Sequence, residues 1–146
     1  MADTVYESSL ISVTVPEGWR AFPGADIFHE YPGEPGNPHM VRIHKGAADE
    51  WDQLTTPGVQ INYTEDGSRM VVPKYVYREV NDLEPTVIGD TVWQGFSAVS
   101  AGVPLIILWM TRPYRIQICL WPEMEKGSVS LEDADVKTII GSIRIK

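Results

Sequence analysis

The sequence predicts a single α+β domain built on an antiparallel β-sheet meander, with a C-terminal helix packed on the sheet. Three stretches carry this expectation. Residues Thr91 to Trp121 read as three consecutive strands, Thr91–Val99, Val103–Met110 and Tyr114–Trp121. Ile11, Val13 and Val15 alternate with Ser12 and Thr14, which marks an earlier strand with one apolar face. Ser130 to Gly141 has the apolar spacing and end signals of a helix.

The middle strand of the meander, Val103-Pro-Leu-Ile-Ile-Leu-Trp-Met110, is the most apolar run of the chain. It is far too short to span a bilayer. It has no polar alternation, so it fits a strand covered on both faces. Ala101-Gly102 before it and Arg112-Pro113 after it are turn signals.

Taken in order, the first strand, Leu10–Val15, stops at Pro16-Glu17-Gly18-Trp19, where proline presets φ and glycine accepts a positive one. Trp19 folds back onto the core, and Arg20–Phe22 begins a second strand. Ile27–Tyr31 and Met40–Lys45 read as a strand pair, separated by the irregular Pro32–Pro38. Gly46–Leu54, with Asp49, Glu50 and Asp52 early, reads as a short helix. Val59–Thr64 and Arg69–Val72 flank Asp66-Gly67 as a hairpin. Pro73–Leu83 reads as a helix with Val72, Val76, Val80 and Leu83 on one face, although Tyr75 and Tyr77 equally suit one face of a strand. Glu84–Ile88 is a strand turned into the meander at Gly89-Asp90. In the last helix Ser130 is the expected N-cap, with Asp133 three residues on. Leu131, Ala134, Ile139 and Ile140 face the sheet, Gly141 closes the helix, and Ser142–Lys146 alternates as a last strand.

A chain of 146 residues can bury roughly 70% of its extended surface, enough for an ordinary core. One cysteine, Cys119, excludes an intramolecular disulfide and a cysteine-based zinc cluster. A net charge of -8 argues against nucleic acid and anionic membrane, whose phosphates would repel the chain. The start, Met1-Ala-Asp-Thr-Val-Tyr-Glu, has neither a basic n-region nor an apolar h-region. The expected location is therefore the cytoplasm, or the cell envelope had a leader been removed.

A first strand closing on Pro16-x-Gly18-Trp19, together with a last helix reading Asp135-Val-Lys-Thr-Ile-Ile-Gly-Ser142-Ile143, resembles the PsbP-like superfamily. That superfamily includes an extrinsic subunit of photosystem II and a Ran-binding nuclear import factor. The resemblance implies an αβα sandwich, an antiparallel sheet with helices on both faces. It also implies action by binding other proteins, with no shared catalytic residues to carry over.

His29, His39 and His44 lie in one short segment, with His29 and His44 expected on an outer face. Their spacing matches no tight metal motif, so surface histidines and no metal are expected. Cys119 lacks a neighbouring base in any motif and reads as a buried strand cysteine. The sequence contains no G-x-S-x-G, phosphate-binding glycine loop or H-E-x-x-H, and no cofactor is expected.

The register of the meander supplies the one candidate site. A two-residue turn at Ala101-Gly102 sets Gln94 opposite Trp109 and Phe96 opposite Ile107. A turn at Arg112-Pro113 sets Met110 opposite Arg115, Trp109 opposite Ile116 and Ile107 opposite Ile118. One face then collects Phe96, Ala98, Leu105, Ile107, Trp109, Ile116, Ile118 and Leu120. The other carries the rows Trp93–Met110–Arg115, Gly95–Leu108–Gln117 and Ser97–Ile106–Cys119. Small residues at 95 and 97 leave a hollow there. Trp93, Gly95, Ser97, Arg115, Gln117 and Cys119 are the candidate ligand-binding residues, unless a helix fills the space with Arg115 over Trp93. The expected function is a non-enzymatic binding or accessory protein of unknown protein partner, acting through a surface or groove on the sheet. The alternative is a small-molecule binder or cryptic enzyme with its pocket around Gly95 and Gln117.

Overall fold

The computed structural model describes residues 3–24, 37–64, 77–110 and 115–146. Seven strands form one antiparallel sheet: β3 (Trp19–Gly24), β4 (Asn37–Lys45), β5 (Gly58–Tyr63), β6 (Arg78–Ile88), β7 (Thr91–Ser100), β8 (Val103–Met110) and β9 (Ile116–Trp121). Their spatial order is β3-β4-β5-β9-β8-β7-β6. A second sheet joins β1 (Thr4–Glu7), β2 (Ile11–Val15) and β12 (Arg144–Ile145), with β2 in the middle. The short pair β10 (Glu123–Met124) and β11 (Gly127–Ser128) makes a hairpin. Among the described residues the only α-helix is α1 (Ala134–Gly141), with one 3-10 helix, Glu50–Leu54.

The protein is therefore mostly β, and the expected αβα sandwich with helices on both faces is overturned. One face of the large sheet is covered by α1 together with the small sheet. Ile11, Val13 and Val15 all turn inward, as their alternation predicts, into a core with Val41, Ile43, Val59, Ile61, Leu108, Ile116, Ile118, Leu120, Val136, Ile139 and Ile140. A smaller apolar cluster, Phe96, Ala98, Leu105 and Ile107, occupies the opposite face, with Tyr77, Val80, Trp109, Cys119 and Trp121 against it.

Local chemistry accounts for the junctions. Trp19 N–H donates to the Pro16 carbonyl at 3.0 Å, and Gly18 at φ +86° supplies the left-handed position that this turn requires. Trp19 is buried, and its indole N–H donates to Asp135 Oδ2 at 3.1 Å, tying β3 to α1. Ser130 does not cap the helix directly. Its Oγ accepts from Glu132 N–H and its own N–H donates to Asp133 Oδ2, making a reciprocal turn one step before α1 begins. Val136, Ile139 and Ile140 form the buried stripe; Ala134 is exposed and Leu131 half-buried. Gly141 is the last helical residue and packs on Gly89 in the β6–β7 turn, where a Cβ added to Gly89 would stand 3.2 Å from the Gly141 backbone.

Three more expectations change. Val80 and Leu83 belong to β6 rather than to a helix, and they face opposite sides of the sheet; residues 73–76 lie outside the described ones. β5 pairs with β4 on one side and β9 on the other, and the expected hairpin partner Arg69–Val72 lies outside the described residues. Asn37 and Pro38 begin β4 instead of ending a loop, and Ile27–Tyr31 is outside the description. His44 is not a surface residue. Its ring is buried against Phe22 and Trp121, over Gly58 on the neighbouring strand, where a Cβ would stand 2.5 Å from Nδ1.

Candidate functional site

The first hairpin of the meander has the expected register. Ala101 (φ +51°) and Gly102 (φ +80°) make a two-residue turn, Gln94 pairs with Trp109 and Phe96 with Ile107. The second does not. Trp109 pairs with Gln117, Leu108 with Ile118 and Ile107 with Cys119, one residue displaced from the expected frame. The slip exchanges every side chain of β9 between faces. Ile116, Ile118 and Leu120 join Leu108 under α1, and they also match Tyr63, Ile61 and Val59 across β5. Gln117 and Cys119 move to the far face, beside Asn62 and Gln60.

The six expected site residues are thus divided. Trp93, Gly95 and Ser97 lie on the helix-covered face, and Gln117 and Cys119 on the other. Trp93 is fully buried in the core, with its indole N–H unpartnered. Arg115 does not lie over Trp93; its Nη1 donates to the Tyr63 hydroxyl at 3.3 Å. Burial pushes the Cys119 thiol up to about 12, against the opposing effect of Arg42, so it is a poor nucleophile. The Gly95 row holds no open hollow of its own either. An added Cβ would run into the Ile107 carbonyl oxygen and stand 2.8 Å from Leu108 Cδ2. Glycine is needed there so that two strands can approach.

A cleft does open next to this row, at the outer edge of the sheet. Its cause is the pairing of β6 with β7. Leu83 pairs with Gly95 and Thr86 with Trp93, so Glu84 and Pro85 together oppose only Gln94. The extra residue bends the edge strand outward, and Pro85 has no N–H to give the ladder. Between the bent strand and the segment entering α1 lies a cleft of about 320 Å³. Leu83, Ile88, Leu108 and Leu131 make its apolar lining, and Glu84, Thr86, Glu132 and Lys137 supply the polar groups. Lys137 Nζ and Glu132 Oε2 form an ion pair at 3.5 Å. Beside the same bulge, Asp82, Pro85, Gln94, Gly95 and Trp109 bound a shallower hollow of about 250 Å³.

Of the residues that line the larger cleft, only Leu108 was expected near a site. Pro85 inside a strand was the available signal, because proline in a sheet marks an edge or a bulge. The arrangement can bury an apolar group and hold a charged or hydrogen-bonding one at its rim. Among the described residues no group of three or more histidine, cysteine, aspartate or glutamate side chains is placed to hold a metal ion, and no helix is long and apolar enough to cross a membrane. No protein-family model matches the chain, and no curated protein matches it.

Proposed function

We propose that this is a non-enzymatic binding or accessory protein that receives an apolar side chain of a partner protein in the cleft between β6, β8 and the entry to α1. The cleft carries this reading: an apolar floor with an ionic rim is what an inserted side chain uses. The character of β6 supports it. An edge strand normally offers its backbone to a partner, but β6 has two bulges, Pro85, and the charges Arg78, Glu79, Asp82 and Glu84. A partner therefore engages by side chains rather than by adding a strand. Net charge -8 favours a protein partner over nucleic acid. Kinship with PsbP-like proteins belongs to the same proposal, supported by the Pro16–Trp19 turn and by Trp19 holding the terminal helix through Asp135.

The test is a filled cleft. Thr86→Trp places an indole over the floor from a half-buried position. Affinity capture from the native host should recover a partner with the wild type and lose it with Thr86→Trp, while the melting temperature stays the same. Recovery of the same partner by both refutes the reading. A small molecule is the alternative, since about 320 Å³ reaches the lower end of ligand-pocket volumes. It would appear as a native mass increase on the wild type that the variant lacks.

A further inference from the structure

The 3-10 helix Glu50–Leu54 has its polarity turned inside out. Trp51 is 62% exposed and Leu54 51%, whereas Gln53 and Thr56 are buried. In a 3-10 helix residues three apart eclipse, so Trp51 and Leu54 stand one above the other on the outward face. The connection between β4 and β5 is held in this orientation by polar contacts at several points. Asp49 Oδ1 accepts from the N–H groups of Trp51 at 3.0 Å and Asp52 at 3.2 Å. Asp52 Oδ2 accepts from Ala48 N–H at 2.7 Å, and its Oδ1 pairs with Lys126 at 3.4 Å. The Ala48 N–H lowers the Asp52 pKa most, with Lys126 adding to it, so the carboxylate stays charged. Gln53 Nε2 donates to Glu50 O, Thr56 Oγ1 to Asp52 O, and Lys126 N–H to Thr55 O. Rolling Trp51 inward would break these bonds together. The exposed pair is thus a fixed knob.

The surroundings of the knob are acidic. Asp49 and Glu50 are exposed beside Trp51, and Glu123 and Glu125 flank Lys126 on the β10–β11 hairpin, which is bonded to Thr55. Of the nearby cations, Lys126 is engaged by Asp52, and Arg20 by the Ala48 carbonyl and the Phe22 ring; Lys45, exposed at the end of β4, is outnumbered by the carboxylates of Asp49, Glu50, Glu123 and Glu125.

We propose that Trp51 and Leu54 are a docking knob for a cationic, amphipathic segment of a partner protein. An arginine or lysine of that segment stacks on the Trp51 indole, its neighbours pair with Asp49 and Glu50, and an apolar side chain covers Leu54. Cations over tryptophan faces are favourable, and tryptophan and arginine recur as the energetic centres of interfaces. Because the knob is already ordered, binding costs little further entropy. A second copy of this chain does not fit. It would bring two acidic rims together on a molecule of net charge -8. The surface is independent of the cleft on β6, which lies at the far edge of the sheet from β4.

The probe is a synthetic peptide of about fifteen residues, alternating leucine and arginine at helical spacing, titrated at about 0.15 M salt. The expected result is saturable one-to-one binding. Trp51→Ala should weaken it roughly tenfold or more and Glu50→Lys several-fold, with both variants melting at the wild-type temperature. The same peptide with glutamate for arginine should not bind. Trp51→Ala binding within about twofold of wild type would overturn the proposal, because the association would then be charge alone. Equal binding of the glutamate peptide would overturn it as well. So would concentration-dependent dimers in sedimentation that Trp51→Ala abolishes, which would make the knob a self-contact.

Discussion

Acidification should unlock the protein at His44. One ring nitrogen, Nδ1, lies 3.1 Å from both the carbonyl oxygen and the hydroxyl of Thr56. In the neutral ring Nδ1–H donates to that carbonyl. The other nitrogen, Nε2, is buried without a hydrogen-bond partner, and a second proton would have to go there. Burial is the largest influence and lowers the pKa; the Thr56 carbonyl pulls it back up, and the Arg42 guanidinium on the same strand lowers it further. The net effect takes the ring from 6.5 to about 4. Arg20, paired beside His44 on β3, brings a second cation next to the ring. Between these pH values the unfolded chain binds a proton that the folded one refuses. The contribution is therefore complete above pH 6.5 and is lost as the pH falls towards 4. At about 1.4 kcal/mol per pH unit the loss comes to about 3 kcal/mol. Urea unfolding followed by tryptophan fluorescence at about pH 7.5, 5.5 and 4 measures it. His44→Phe removes the titration and keeps an aromatic ring between Phe22 and Trp121, so it corrects for all other acid-sensitive groups. Wild type should lose about 3 kcal/mol more than His44→Phe across this range. Parallel stability curves for the two proteins would refute the assignment.

Two core substitutions test the packing. Gly95→Ala should cost about 3 kcal/mol, because the new methyl meets the backbone of the central strand β8, which cannot swing aside as a side chain would; an unchanged urea midpoint would show that the strands are less tightly apposed. Ile139→Ala, on the buried stripe of α1, should cost about 2–5 kcal/mol by lost burial and a cavity, and a melting temperature within a degree or so of wild type would mean that α1 contributes little to the core.

Strands whose two faces differ were legible in the sequence. Ile11–Val15 has an apolar and a polar side, and the structure buries the side that was expected. The Ala101-Gly102 turn was legible because it needs two positive φ values and glycine supplies one of them cheaply. The register of β9 was not. Its partner β8 is apolar on both faces, so hydrophobicity along β8 favours neither of two frames one residue apart. The frame is set from elsewhere, by Val59, Ile61 and Tyr63 on β5 and by the layer above them. The helix reading of Pro73–Leu83 failed over its part from Arg78 in a related way. A bulge between Arg78 and Asn81 breaks the two-residue alternation of β6, and the remaining apolar spacing imitates a helix. The candidate site inherited both difficulties. Its lining joins a bulged edge strand to Leu131, Glu132 and Lys137, more than forty residues later in the chain, and no local pattern brings those together.

The layer over the sheet is assembled from the two extremes of this sequence. β1 and β2 come from its beginning, α1 and β12 from its end, and Glu7 and Lys146 meet in an ion pair at 3.3 Å. On the ribosome this imposes an order in time. β2 is made before the seven-stranded sheet, but its neighbour β12 and the helix beside it are made after it. Until residues 134–145 clear the exit tunnel, the nascent seven-stranded sheet lacks half of its cover, and Leu108, Ile118 and Trp93 have no helix above them. Arrival of α1 and β12, rather than formation of the sheet, is the moment at which the core closes.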